Sequence, residues 1–135
     1  MRKLLALGVV LVPMAAAPSF AQDAEKSFQG IKYACTGIAE SKEDPRWAAY
    51  PLKLIFAAAD GDYASDVRVE IDNDAGNRVF EAYCEFEPWL MVDLAPGKYK
   101  VTATAKNGQS KSVTLSVTGE KQAWRAFRFD KITES

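Results

Sequence analysis

From residue 30 to residue 130, apolar side chains recur at every second position in one short segment after another. That period places successive side chains on opposite faces of an extended strand, so the chain is built for sheets rather than helices. Residues 30–38 (GIKYACTGI) open the series. Leu52, Leu54 and Phe56 then alternate with Lys53 and Ile55, and Val67, Val69 and Ile71 with Arg68 and Glu70. Residues 78–85 and 89–94 follow. Tyr99, Val101, Ala103 and Ala105 alternate with lysine and threonine, and Val113, Leu115 and Val117 with serine and threonine. Residues 123–130 close the series with Phe127 and Phe129 on one face. The spacing predicts seven or eight mainly antiparallel strands, each with one apolar face. Such faces must be buried against a second layer, which gives an all-β, two-layer, Ig-like or transthyretin-like sandwich. A closed barrel is the alternative; short, uneven strands favour the sandwich.

Turn formers separate the strands. Asp60-Gly61-Asp62, residues 72–77 (DNDAGN) and Asn107-Gly108 are read as turns. In Asn107-Gly108 both residues are expected in the left-handed region of a two-residue hairpin loop. In Ala95-Pro96-Gly97, proline fixes φ at the first central position and glycine is expected to take positive φ at the second. Only residues 40–50 (ESKEDPRWAAY) break the alternation. Asp44 can cap, and Pro45 begin, a short helix near 44–50.

The start of the chain reads differently. Arg2 and Lys3 precede an apolar run from Leu4 to Val12, Pro13 ends it, and Ser19-Phe20-Ala21 offers the small residues of a cleavage site. The run is shorter than the roughly 20 apolar residues a membrane span requires. Residues 1–21 are therefore read as a cleaved signal peptide, residues 22–29 as a flexible N-terminus, and residues 30–135 as one domain. A periplasmic or secreted protein follows, with no stable membrane insertion after cleavage. Loss of Arg2 and Lys3 reduces 17 basic residues to 15 against 18 acidic ones, a net charge of −3. Without a basic surplus, nucleic acid is not an expected partner. In an exported chain the two cysteines, Cys35 and Cys84, are expected to form a structural disulfide. They lack the Cys-x-x-Cys spacing of a redox pair.

Catalysis finds little support. The chain contains no histidine. This removes Ser-His-Asp and Cys-His mechanisms and histidine-dependent zinc or copper sites. No phosphate-cradling glycine loop is present either. Asp60, Asp62 and Asp66, or Asp72 and Asp74, could supply a carboxylate pair for an enzyme only if they faced each other across a cleft. No catalytic residue and no cofactor is expected. Calcium is the one metal considered, at Asp72 and Asp74 with the neighbouring Asn73 and Gly76; the later bidentate glutamate of a calcium loop is missing, and a plain turn would choose the same residues. The aromatics are the other candidates. Trp47 and Tyr50 lie in the 40–50 insertion, and Trp89 and Trp124 lie opposite the core positions of their strands. All four are candidate partner contacts. The insertion serves either to bind or to cover an open sheet edge.

Residues 94–117 (LAPGKYKVTATAKNGQSKSVTLSV), with Asp66–Ile71 alternation and the Asp74-Ala75-Gly76-Asn77-Arg78-Val79 restart before them, resemble carboxypeptidase regulatory-like domains. The resemblance covers about residues 52–129. It implies a transthyretin-like (prealbumin-like) sandwich of the small exported bacterial type, with the Pro96-Gly97 turn and Tyr99 as fold residues. It implies an accessory, structural or adhesive module and carries over no catalytic residue. The expected function is a non-catalytic periplasmic binding or accessory module that contacts an envelope protein or polysaccharide. An inhibitor of a secreted or periplasmic hydrolase is the alternative.

Overall fold

The computed structural model describes residues 23–130. The signal-peptide reading of residues 1–21 lies outside them. The period-two segments become strands: β1 (Lys26–Phe28), β2 (Ile31–Thr36), β3 (Leu52–Ala58), β4 (Val67–Asn73), β5 (Arg78–Cys84), β6 (Trp89–Val92), β7 (Gly97–Thr104), β8 (Ser110–Val117) and β9 (Ala123–Phe129). They form a five-stranded sheet, ordered β1-β2-β6-β3-β9, and a four-stranded sheet, ordered β5-β4-β7-β8. The pairings are antiparallel except β3 with β9, which run parallel from Leu52 opposite Ala123 to Ala58 opposite Phe129. The molecule is an all-β sandwich, as the alternation required.

The inward positions of both sheets close on one dry interior. Leu52, Leu54 and Phe56 of β3, Val67, Val69 and Ile71 of β4, Phe80 of β5, Leu90 and Val92 of β6, Val101 of β7 and Phe129 of β9 are fully buried. Leu115 and Val117 of β8 and Phe127 of β9 complete this core. Burial of such side chains, each contributing roughly 1.5–3 kcal/mol, is the main force holding the sheets face to face. Cys35 on β2 and Cys84 on β5 form a disulfide across the sandwich, with Cα atoms 5.6 Å apart.

Hairpin chemistry sets the registers. At residues 73–77 and 105–109 the same loop recurs. Gly76 N–H donates to Asn73 O and Gly108 N–H to Ala105 O, each at 2.9 Å. The glycines have φ of 88° and 91°. This is a type I turn closed by a left-handed glycine. Asn107 is not left-handed as expected. Its Oδ1 instead accepts from Gln109 N at 2.9 Å. The Ala95-Pro96-Gly97 step also differs from expectation. Gly97 lacks positive φ and opens β7 directly. There Tyr99 does the positioning, its hydroxyl donating to Ala95 O at 2.7 Å.

Two further segments depart from the sequence reading. Lys26–Phe28, inside the stretch expected to be flexible, pairs with β2 from Lys26 opposite Tyr33 to Phe28 opposite Ile31. The Gln29-Gly30 step, left-handed at both residues, turns the chain back. The 40–50 insertion holds two 3-10 helices, Ala39–Glu43 and Pro45–Ala49. The expected cap is present on the second, where Asp44 accepts from Arg46 N and Pro45 begins the helix. Among the described residues, no helix is long and apolar enough to cross a membrane.

Candidate functional site

The outer face of the five-stranded sheet decides where a partner could sit. On it, alternation aims Ala34 and Thr36 of β2, Trp89 and Met91 of β6, Lys53, Ile55 and Ala57 of β3, and Trp124, Ala126 and Arg128 of β9 away from the core. The insertion covers half of this face. Trp47 and Tyr50 pack with Ala34 and Met91 into a second, smaller cluster, and both aromatics are only 4% exposed. Trp47 is fixed by its indole N–H, which donates to Ser41 O at 2.7 Å. Gln122 ties the insertion to β9, its amide donating to Trp47 O at 2.8 Å and Tyr50 O at 3.0 Å. Trp47 and Tyr50 are thus withdrawn from the set of partner contacts. The insertion covers a sheet face rather than an open edge.

The chain before β1 is strapped over this cover. Thr36 Oγ1 donates to Asp23 Oδ2 at 2.7 Å. Arg46 donates to Asp23 O at 2.9 Å while pairing with Asp44 at 2.7 Å. Tyr50 donates its phenol to Glu25 Oε2 at 2.5 Å. Lys32 and Arg46 each lie 3.6 Å from the Glu25 carboxylate. The Tyr50 hydrogen bond, helped by Lys32 and Arg46 and opposed by burial, holds the Glu25 carboxyl below its usual range. Burial and the Glu25 charge push the Tyr50 phenol well up.

The signs give a pH prediction. A depressed carboxyl stabilises the fold above its ordinary pKa, about 4.3 for glutamate, and loses that contribution as pH falls through its folded value. A raised phenol contributes fully below its ordinary pKa of about 10 and loses the contribution only as pH climbs through its folded value. On acidification from neutrality to below pH ~4, the protection factors of the Lys26–Phe28 amides should fall while those of β4 and β7 hold. Glu25→Gln should flatten that dependence. Equal loss of protection in all strands would contradict the assignment.

The other half of the face is open. Trp124 is 62% exposed, and on the parallel register it stands beside Lys53. The Lys53 ammonium lies 3.6 Å from the centroid of the Trp89 ring. Burial pulls this ammonium below the usual lysine range. Trp89, half-buried, is itself held by Gly37. At Gly37 a Cβ would come within 2.5 Å of the indole Cγ, and the φ of +102° disfavours any other residue. The ring therefore rests on bare backbone, and the lysine rests on the ring. A cation over an indole face gains about 0.5–2 kcal/mol, the more so when partly desolvated. Ile55 and Ala126 lie level with each other next along these strands, and Arg128 stands level with Ala57. Among the described residues, neither Lys53 nor Arg128 makes an ion pair (those found involve Lys32, Arg46, Arg78 and Lys106).

Of the four candidate aromatics, the structure leaves Trp89 and Trp124 on one open surface and encloses Trp47 and Tyr50. The sequence reading passed over Lys53 and Arg128, which are ordinary outward residues of strands. The signal that could have found Lys53 is its place on the strand between the two tryptophan-bearing strands β6 and β9, which needs the strand order.

The acidic turn is elsewhere. Asp72 accepts from Arg78 Nε at 2.6 Å, and Arg78 also reaches Glu70 and Glu81. Asn73 Oδ1 accepts from Ala75 N and Asn77 N, the bonding of a plain Asx turn. Asp74 is exposed at its tip. Among the described residues no group of three or more Cys, Asp or Glu side chains is placed to hold a metal ion. A cleft of about 670 Å³ beside the 3-10 helices is lined by Asp23, Glu40, Glu43, Asp44, Arg46 and Glu87. Its Asp23 and Asp44 carboxylates are already bound by Thr36 and Arg46. No protein-family model matches the chain, and no curated protein matches it.

Proposed function

We propose that this chain is a non-catalytic binding module of an exported compartment, periplasmic or secreted, and that it holds an envelope polysaccharide on the open half of the five-stranded sheet's outer face. The observation that carries the reading is the 62% exposure of Trp124 on the outer sheet face, beside Lys53. Sugar rings and other flat partners stack on such a face. The absence of histidine from the whole chain favours binding over catalysis. The Cys35–Cys84 disulfide suits an oxidising compartment outside the cytosol. The signal-like N-terminus agrees with it, and the resemblance to carboxypeptidase regulatory-like domains suits an accessory role.

The test is retention of the purified exported protein on insoluble envelope polysaccharide stripped of protein. Trp124→Ala should weaken retention about tenfold or more, as loss of a central aromatic anchor does. Its far-ultraviolet spectrum should be unchanged, because the side chain lies outside the core. Retention that survives Trp124→Ala, or that vanishes when the polysaccharide is freed of protein, would remove the reading. The second result would point to an envelope protein instead.

A further inference from the structure

We infer that the polysaccharide is an acidic one, a polymer of carboxylated sugars, two of whose charges meet Lys53 and Arg128 while a ring lies on Trp124. This rests on the reading of the open face as the binding surface, and adds the chemistry of what binds there.

Charge is the first argument. The whole chain is net negative. Yet the outward positions of β3, β6 and β9 carry Lys53 and Arg128 and no carboxylate. The corresponding face of the other sheet mixes the two signs: Arg78 is bound by Glu70, Asp72 and Glu81, beside the exposed cations Arg68, Lys98 and Lys100. Lys53 is also partly desolvated and held over Trp89 at 3.6 Å. An ammonium kept in place without a carboxylate partner is prepared for an anion that arrives from outside.

Spacing is the second argument. The Lys53 ammonium sits over Trp89 of β6, level with Ile55. Arg128 springs from β9, beyond β3 and level with Ala57. With strands ~4.8 Å apart and ~3.3 Å per residue, these two points on the sheet are about 12 Å apart. Two cations so placed answer two charges along a chain better than one small anion. Between them run the apolar Ile55 and Ala126, and Trp124 borders them with its ring exposed. A protein segment with paired acids would meet the same charges. The exposed Trp124 ring, on which a sugar ring can stack, favours a sugar chain.

Affinity electrophoresis of the purified exported protein in gels containing polygalacturonate or neutral dextran tests this. Polygalacturonate should retard the protein, and dextran should do so far less. Lys53→Met keeps the stem on Trp89 and removes the charge. It should weaken the polygalacturonate interaction about tenfold, and Arg128→Gln similarly. Raising salt should weaken binding by the native protein more than by Lys53→Met. Monomeric galacturonate should compete poorly against the polymer. Equal retardation by dextran and polygalacturonate, lost in Trp124→Ala but untouched in Lys53→Met, would overturn the acidic assignment and leave the polysaccharide reading standing. No retardation in either gel would overturn both.

Discussion

Phe80→Ala is expected to lose about 3–5 kcal/mol of stability, the range for emptying a buried phenylalanine site. Phe80 is fully buried. It projects from β5 of the four-stranded sheet against two rings of the other sheet. Phe28 of β1 meets it edge-on with centroids 5.8 Å apart, and Tyr33 of β2 does so at 5.2 Å. Those contacts anchor β1 to the core, adding to its ladder with β2 and to the bonds of Asp23 and Glu25 just before it. The substitution should therefore act twice. Urea unfolding should show the lowered midpoint, and hydrogen exchange should show β1 opening ahead of the other strands. Phe80→Leu, which keeps most of the volume, should cost far less, under about 1.5 kcal/mol with repacking. A Phe80→Ala protein with an unchanged midpoint would mean that the two sheets do not share this interior.

Removing the disulfide is the second large effect. Cys35 and Cys84 are 49 residues apart in sequence and join β2 of one sheet to β5 of the other. On the loop-closure account, releasing a ring of that size returns entropy to the unfolded chain worth about 4 kcal/mol. The double substitution Cys35→Ala with Cys84→Ala should lower the unfolding free energy by roughly that amount, less whatever the denatured chain retains in residual structure. Reducing the native protein should reproduce the loss. The measurement is urea unfolding with and without a thiol reductant, and coincident curves would contradict a structural role. Because Val69, Val101 and the other core residues remain, the reduced protein should keep its sheet spectrum at low denaturant.

The alternation of apolar and polar residues made the strands of the sandwich legible. It is a local property, printed in each segment by the need to bury one face. It also placed Trp124 on the outward face, since Phe127 and Phe129 fix the odd-numbered positions of β9 as inward and Trp124 is an even one. Strand order was not legible, because partners meet across long stretches of chain. The cation of Lys53 over Trp89 was hidden for that reason. The insertion's destination was half-written. Met91 lies between Leu90 and Val92, and an unbroken apolar run marks a strand covered on both faces. Trp47 and Tyr50 were the matching apolar side chains, and together they foretell a covered face rather than a guarded edge. The β1 strand went unseen because Lys26-Ser27-Phe28 is too short to display a period. Its signal was the turn at Gln29-Gly30. Pro96-Gly97 misled because the dipeptide fits a tight turn, whereas the Tyr99 hydroxyl supplies another way round the corner.

The central claim is that binding takes place on the open half of one sheet face, at Trp124, Lys53 and Arg128. The most direct test is a nuclear magnetic resonance titration of the isotope-labelled protein with short oligogalacturonates. Shifts should concentrate at the Trp124 indole, the Ala126 and Arg128 amides and the Lys53 side chain. The outward hydroxyl rows of β7 and β8 and the cleft by Glu40 and Glu43 should stay still. Shifts gathered at those hydroxyl rows or in that cleft, with Trp124 silent, would contradict the account.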